Sequence, residues 1–243
     1  MDNKRLSSLK LYSSAMKMIW IEKVQLLRLV SPIIILALAY IALPLSELGI
    51  VPVIVLYFLA IYCFAVSAVH IHVNILETLS FADSRIFVRP RTTHFAYLGI
   101  LVLFQIANGI LGALVEMPLA NPSAEVIFSI IGICVSLYLV RFYFTLPAIT
   151  IGDRLSQMLE YTRGRLLRFY LAGVLFLLTI VPVLTVAILF GGVFLKETSY
   201  LGAAFIVLVI MYTCLNVFIS VVYKEFRREW LGETSASSDE REL

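Results

Sequence analysis

The stretch Arg163-Gly-Arg-Leu-Leu-Arg168-Phe-Tyr-Leu-Ala-Gly-Val-Leu-Phe-Leu-Leu-Thr-Ile-Val-Pro-Val-Leu-Thr-Val-Ala-Ile-Leu-Phe190 decides the fold. Three arginines lead into an apolar run that meets no charge before Lys196. A bilayer core of about 30 Å takes roughly 20 apolar residues in a helix, so the run predicts a membrane span near 168–191. Five further segments of the same kind stand near 25–45, 50–74, 95–116, 124–147 and 200–223. An apolar content of 61% and a mean hydropathy of +0.97 exceed the roughly 45–50% apolar usage of soluble domains. Lipid offers the backbone no hydrogen-bond partner, so segments this long must be helices rather than barrel strands. The expected fold is all-α and polytopic, a bundle of six transmembrane helices over 24–231.

The charges orient the bundle. Short cytoplasmic loops retain Lys and Arg, and exported ones lose them. Of the 19 Lys and Arg residues, Lys196 alone falls on the second side of the six spans. The first side receives Lys4 to Arg28, Arg85, Arg89, Arg91, Arg141, Arg154, Arg163, Arg165, Arg168, Lys224, Arg227, Arg228 and Arg241. An even number of spans then places both termini in the cytoplasm. More than 20 mixed residues precede the first span and no small-residue cleavage site follows it, which predicts a retained signal anchor.

Residues 1–23 predict an amphipathic interfacial helix on the cytoplasmic side. Leu6, Leu9, Tyr12, Met16, Ile19 and Trp20 share one face, and Ser7, Lys10, Ser14 and Lys17 the other. Such a helix can anchor and orient the bundle in the headgroup plane, or dock a cytoplasmic partner. The pattern recurs before the fifth span, with Leu155, Met158, Leu159, Thr162 and Leu166 opposite Gln157, Glu160, Arg163 and Arg165. Both units run into a proline-containing span, at Pro32 and Pro182, which suggests a weak parallel repeat. After Gly232 the polar segment 232–243 reads as a disordered tail.

All 16 acidic residues fall in loops, tails or span ends, so no carboxylate relay for a coupling ion is evident at mid-membrane. The polar residues at depth, Gln105, Asn108, Thr179, Thr185 and Asn216, read as interhelical hydrogen-bond partners, because an unsatisfied amide in hydrocarbon is costly; Gln105, Asn108 and Asn216 are the principal candidates. Cys63, Cys134 and Cys214 lack metal or redox spacing. His70, Asn74 and Glu77 share a helical face, but His72 stands about 200° round the helix from His70, so no metal site is assigned. Phosphate-cradling glycine loops, HExxH and G-x-S-x-G are missing. No catalytic residue, metal or cofactor is therefore assigned. A net charge of +3, tracking the membrane interface, does not point to nucleic acid.

From Arg141 to Arg165, Leu146-Pro147-Ala148 closes the fourth span and Ser156 to Gly164 forms an amphipathic helix ahead of the fifth. This order resembles the YciC-like bacterial membrane proteins, and is similar to the membrane domain attached to some glycerophosphodiester phosphodiesterases. The resemblance implies a six-helix bacterial inner-membrane protein and supplies no catalytic residues. No phosphodiesterase domain stands in this sequence, so that activity is not implied.

The sequence thus points to a non-enzymatic membrane protein that organises envelope lipids or protein partners through a basic cytoplasmic collar. Anionic phospholipid is the expected ligand, with Arg28, Arg141, Arg163, Arg165 and Arg168 as headgroup contacts. The alternatives are a transporter or permease subunit for an apolar or amphipathic solute, coupled to a cytoplasmic partner, and an assembly or regulatory subunit of a membrane complex. Cytoplasmic reporters fused to either terminus should be active in a bacterial host, and an exported reporter inserted at Lys196 should also be active; an exported signal from a terminus would overturn this topology.

Overall fold

The computed structural model describes residues 7–42, 50–77, 92–115, 140–194 and 197–239, together with 126–127, 130–132 and 135. Described residues are helical almost throughout and contain no strand. The elements are α1 (Ser8–Ala42), α2 (Ile50–Leu76), α3 (Thr92–Val115), a 3-10 turn (Arg141–Phe144) running into α4 (Thr145–Thr150), α5 (Leu155–Thr162), α6 (Leu166–Phe194) and α7 (Glu197–Asp239). Among the described residues three stretches are long and apolar enough to cross a membrane: Ile50–Leu76, Leu166–Val186 and Ala204–Gly232. Most of the sequence segment 124–147 lies outside the described residues before Val140.

The N-terminal amphipathic segment and the first apolar segment form one continuous helix, with no break at residues 23–24. Neither Gly nor Pro occurs between Ser8 and Ser31 to interrupt it. Pro32 cannot donate to the carbonyl of Arg28, four residues back. The Ser31 hydroxyl donates to that carbonyl instead, at 2.8 Å, which keeps the helix intact without water. At the other terminus, α7 passes through Gly232 and ends at Asp239.

Helix α7 is the axis of the bundle, packing against α1, α2, α5 and α6. Contacts define the register. Phe64 meets Tyr212, His72 meets Ser220, and Ile75 meets Lys224, so α2 and α7 run parallel at a nearly constant offset. Phe176 stacks on Phe218 while Arg168 reaches Glu229, so α6 and α7 form an antiparallel pair. Ser67 of α2 donates to the Leu29 carbonyl of α1 at 2.9 Å.

The main core sits at one end of this assembly, which also gathers the charges. Val217, Phe218, Val222, Tyr223 and Phe226 of α7 are fully buried there against Leu11, Ile71, Phe144, Met158, Tyr161 and Phe176. At Gly173 a Cβ would come only to within 3.9 Å of the Phe218 ring, an ordinary contact distance. The other end is different. Val51, Val55 and Phe58 of α2, Leu103 and Ile106 of α3, and Leu178, Val183 and Leu189 of α6 are exposed. In water such a surface would drive association; in hydrocarbon it is solvated by acyl chains, and helices gain nothing hydrophobic by covering it.

This asymmetry fixes where substitutions act. Phe218→Ala should cost about 3–5 kcal/mol through the cavity it leaves, whereas Leu178→Ala should stay within about 0.5 kcal/mol. Reversible unfolding in mixed micelles measures both, and equal costs would contradict the asymmetric packing.

Candidate functional site

At the charged end a short connector, from Arg141 to Arg165, folds across the Tyr223–Trp230 stretch of α7. Gly152 and Gly164 bracket α5 with φ of 78° and 70°, a left-handed conformation that glycine adopts without a Cβ penalty. Eight residues are too few for a stable isolated helix, so α5 depends on its ends and its buried face. At its start the Gln157 side chain accepts the Arg154 backbone N–H at 2.8 Å. At its end the Glu160 and Thr162 carbonyls accept the backbone N–H groups of Arg163 and Arg165, both at 3.1 Å, and two arginine side chains reach the carbonyls of Leu159 and Tyr161. The Arg141 guanidinium donates to the Leu159 carbonyl and, at 2.9 Å, to Thr162 Oγ1; Arg165 donates to the Tyr161 carbonyl at 3.1 Å. Cations at a helix C-terminus also oppose its negative dipole end. Met158, Tyr161 and Thr162 are buried beneath this cap, and the Tyr161 ring lies 5.0 Å from that of Trp230. Burial, then the nearby Asp153 carboxylate, pushes the Tyr161 hydroxyl above its ordinary pKa, so it stays protonated.

Two carboxylates stitch this connector to α7. Asp153 Oδ2 accepts from the Tyr223 hydroxyl at 2.7 Å and from Arg227 Nε at 3.0 Å. Glu229 accepts from Arg165 Nε at 3.1 Å and from both terminal nitrogens of Arg168 at 3.0 Å. Such charge-assisted bonds are roughly twice as strong as neutral ones. Lys224 Nζ donates to the Ile75 carbonyl in the last turn of α2, another cation on terminal helix carbonyls.

The five arginines expected at lipid headgroups therefore divide. Arg28 and Arg163 are exposed. Arg141, Arg165 and Arg168 are directed into the protein, onto helix carbonyls and Glu229. Inward pairing of acids leaves a cationic exterior: Lys10, Lys17, Lys23, Arg28, Arg154, Arg163 and Arg228 are exposed, against Glu77 and Glu160 among the described carboxylates. Lys23 stands 3.7 Å above the exposed Trp20 ring.

A second polar cluster joins α2, α3 and α7 within the bundle. Tyr97 donates to Asn216 Oδ1 at 3.2 Å, and its oxygen lies 3.1 Å from His72 Nε2. His72 Nδ1 lies 2.6 Å from Ser220 Oγ, whose hydroxyl also reaches the Asn216 carbonyl at 2.6 Å, and the ring's tautomer sets which partner donates. A Ser–His contact of this length suits a nucleophile and its base, but both residues are fully buried, and here it ties helices together. The sequence places His72 on the side of the helix away from His70 and assigns it no partner. Asn216 bonds across to α3 through Tyr97, while the side chains of Gln105 and Asn108 lie outside the described ones. Tyr12 of α1 bonds Thr179 of α6 at 2.9 Å, and Thr185 is exposed. No group of three metal-binding side chains occurs among the described residues.

Replacing Arg141 with Met should uncap α5 and raise hydrogen exchange across Leu155–Thr162 about tenfold or more, since bonds to charged donors contribute about 1.5–3 kcal/mol. Unchanged protection of that segment would show that the cap does not depend on Arg141. No family model matches the chain, and neither a curated protein nor a solved structure matches it.

Proposed function

We propose that this chain is a six-span, non-enzymatic protein of the bacterial inner membrane, with both termini cytoplasmic, that organises anionic phospholipid around its charged end. The observation that carries this reading is the sorting of charge. Asp153 and Glu229 are consumed inside the connector cluster, and seven exposed cations face outward against two exposed carboxylates among the described residues. Each basic residue near an anionic surface contributes about 1 kcal/mol, so the collar is a multivalent seat for headgroups. Exposed Leu9, Ile21, Val24 and Leu27 accompany the cations along α1, an arrangement suited to the boundary between headgroups and acyl chains. Arg28 and Arg163 make the headgroup contacts, while Arg141, Arg165 and Arg168 shape the surface by holding α5 and α7 in place. A membrane or cytoplasmic protein that docks on the same collar would do so in competition with lipid.

The paired variant Arg28→Gln, Arg163→Gln removes two exposed charges and no internal bond. Native mass spectrometry of the full chain from membranes of mixed charge should show the retained anionic lipid reduced by the loss of about 2 kcal/mol of attraction, with thermal stability unchanged. Equal lipid retention in the folded variant would overturn the proposal.

A further inference from the structure

The contact among Arg165, Arg168 and Glu229 has the form of an occupied anion site. Arg168 presents its two terminal nitrogens to the two oxygens of one carboxylate, both at 3.0 Å, and Arg165 Nε adds a third donor at 3.1 Å. A planar guanidinium fork of this kind fits a carboxylate or a phosphate equally well. The two cations have supports of their own. Arg165 is anchored on the Tyr161 carbonyl, and the Arg168 guanidinium lies 5.7 Å over the Phe226 ring. Each therefore has a contact that does not involve the carboxylate. Side-chain exposure grades outward, from 8% at Arg165 through 13% at Glu229 to 21% at Arg168, so the site opens at the edge of the bundle. Its chain neighbours Arg163 and Arg228 are exposed cations that would raise the local concentration of an arriving anion.

We infer that Arg165 and Arg168 form a phosphate-binding site whose resident ligand is the chain's own Glu229, exchanged for a phosphate group at the membrane surface. The inference rests on the lipid-collar reading for its source of phosphate, a phospholipid headgroup; free phosphate shares the chemistry. Displacement returns the Glu229 carboxylate to water and passes these three charge-assisted bonds to the incoming oxygens. It also releases the stitch between the start of α6 and Glu229 of α7, which couples headgroup occupancy to the seating of α5.

The test uses Trp230, the neighbour of Glu229, as reporter in the full chain carrying Trp20→Phe, since the protein has two tryptophans. Vesicles of phosphatidylglycerol and phosphatidylcholine should shift Trp230 emission and pure phosphatidylcholine should not, and Arg168→Gln should abolish the shift. A shift with inorganic phosphate but not with vesicles would keep the site and overturn its lipid source. Glu229→Gln removes the internal competitor, so retained anionic lipid should rise on the order of tenfold. An unchanged Trp230 signal with every probe overturns the inference, and needs no variant of the site itself to fold. Failure of the collar reading shows separately, in the exposed pair Arg28 and Arg163 with Glu229 intact.

Discussion

Helix α7 carries polar groups into a packed, largely apolar interior. Tyr212, Asn216, Ser220, Tyr223, Lys224 and Arg227 recur at helical spacing along one side of it. A packed apolar interior cannot solvate them, so most meet polar partners on other elements. Asn216 and Ser220 meet Tyr97 and His72, Lys224 meets the end of α2, and Tyr223 and Arg227 meet Asp153. Those partners lie on three elements besides α7, so satisfying one helix face sets the position of α2, α3 and the α4–α5 connector together. The parallel register of α2 and α7 follows from it. A slip of one residue would strand His72 and the Ile75 carbonyl at once.

The same economy explains the uneven packing. Towards the uncharged end, α7 and its neighbours present exposed apolar side chains that lipid would solvate as well as protein does, so in a bilayer nothing would compel the helices to close there. At the charged end polar and apolar groups alternate around a dry core of Phe144, Phe169, Phe176, Phe218 and Phe226. That core in turn gives Asp153 and Glu229 a protected setting, with side-chain exposures of 9% and 13%, in which carboxylate–guanidinium pairs are screened less than on an open surface.

How much of this was legible beforehand depends on the range of each interaction. Helix type and the sorting of basic residues between loops are local properties, written within windows of about 20 residues. The union of the amphipathic N-terminus with the first apolar segment was obscured because polarity changes near residue 23, whereas helix continuity depends on Gly and Pro, which are missing from Ser8 to Ser31. The inward roles of Arg165 and Arg168 depend on Glu229, 64 and 61 residues away. His72 depends on Ser220, 148 residues away. No spacing rule near those residues reveals such partners. The recurrence Asn216, Ser220, Lys224, Arg227 inside an apolar helix was the one available signal, because a polar stripe in a membrane helix has to face protein.

The seat of the bundle in the bilayer governs how its charged end can act. Spin labels placed singly at Ile35, Leu178, Val183 and Arg163 of the lipid-reconstituted protein, and relaxed by oxygen or by a water-soluble nickel chelate, measure it directly. Oxygen should dominate at Ile35, Leu178 and Val183, and the chelate at Arg163, placing the exposed apolar end in hydrocarbon and the cationic end among headgroups. Chelate access at Leu178 and Val183 equal to that at Arg163 would contradict that placement.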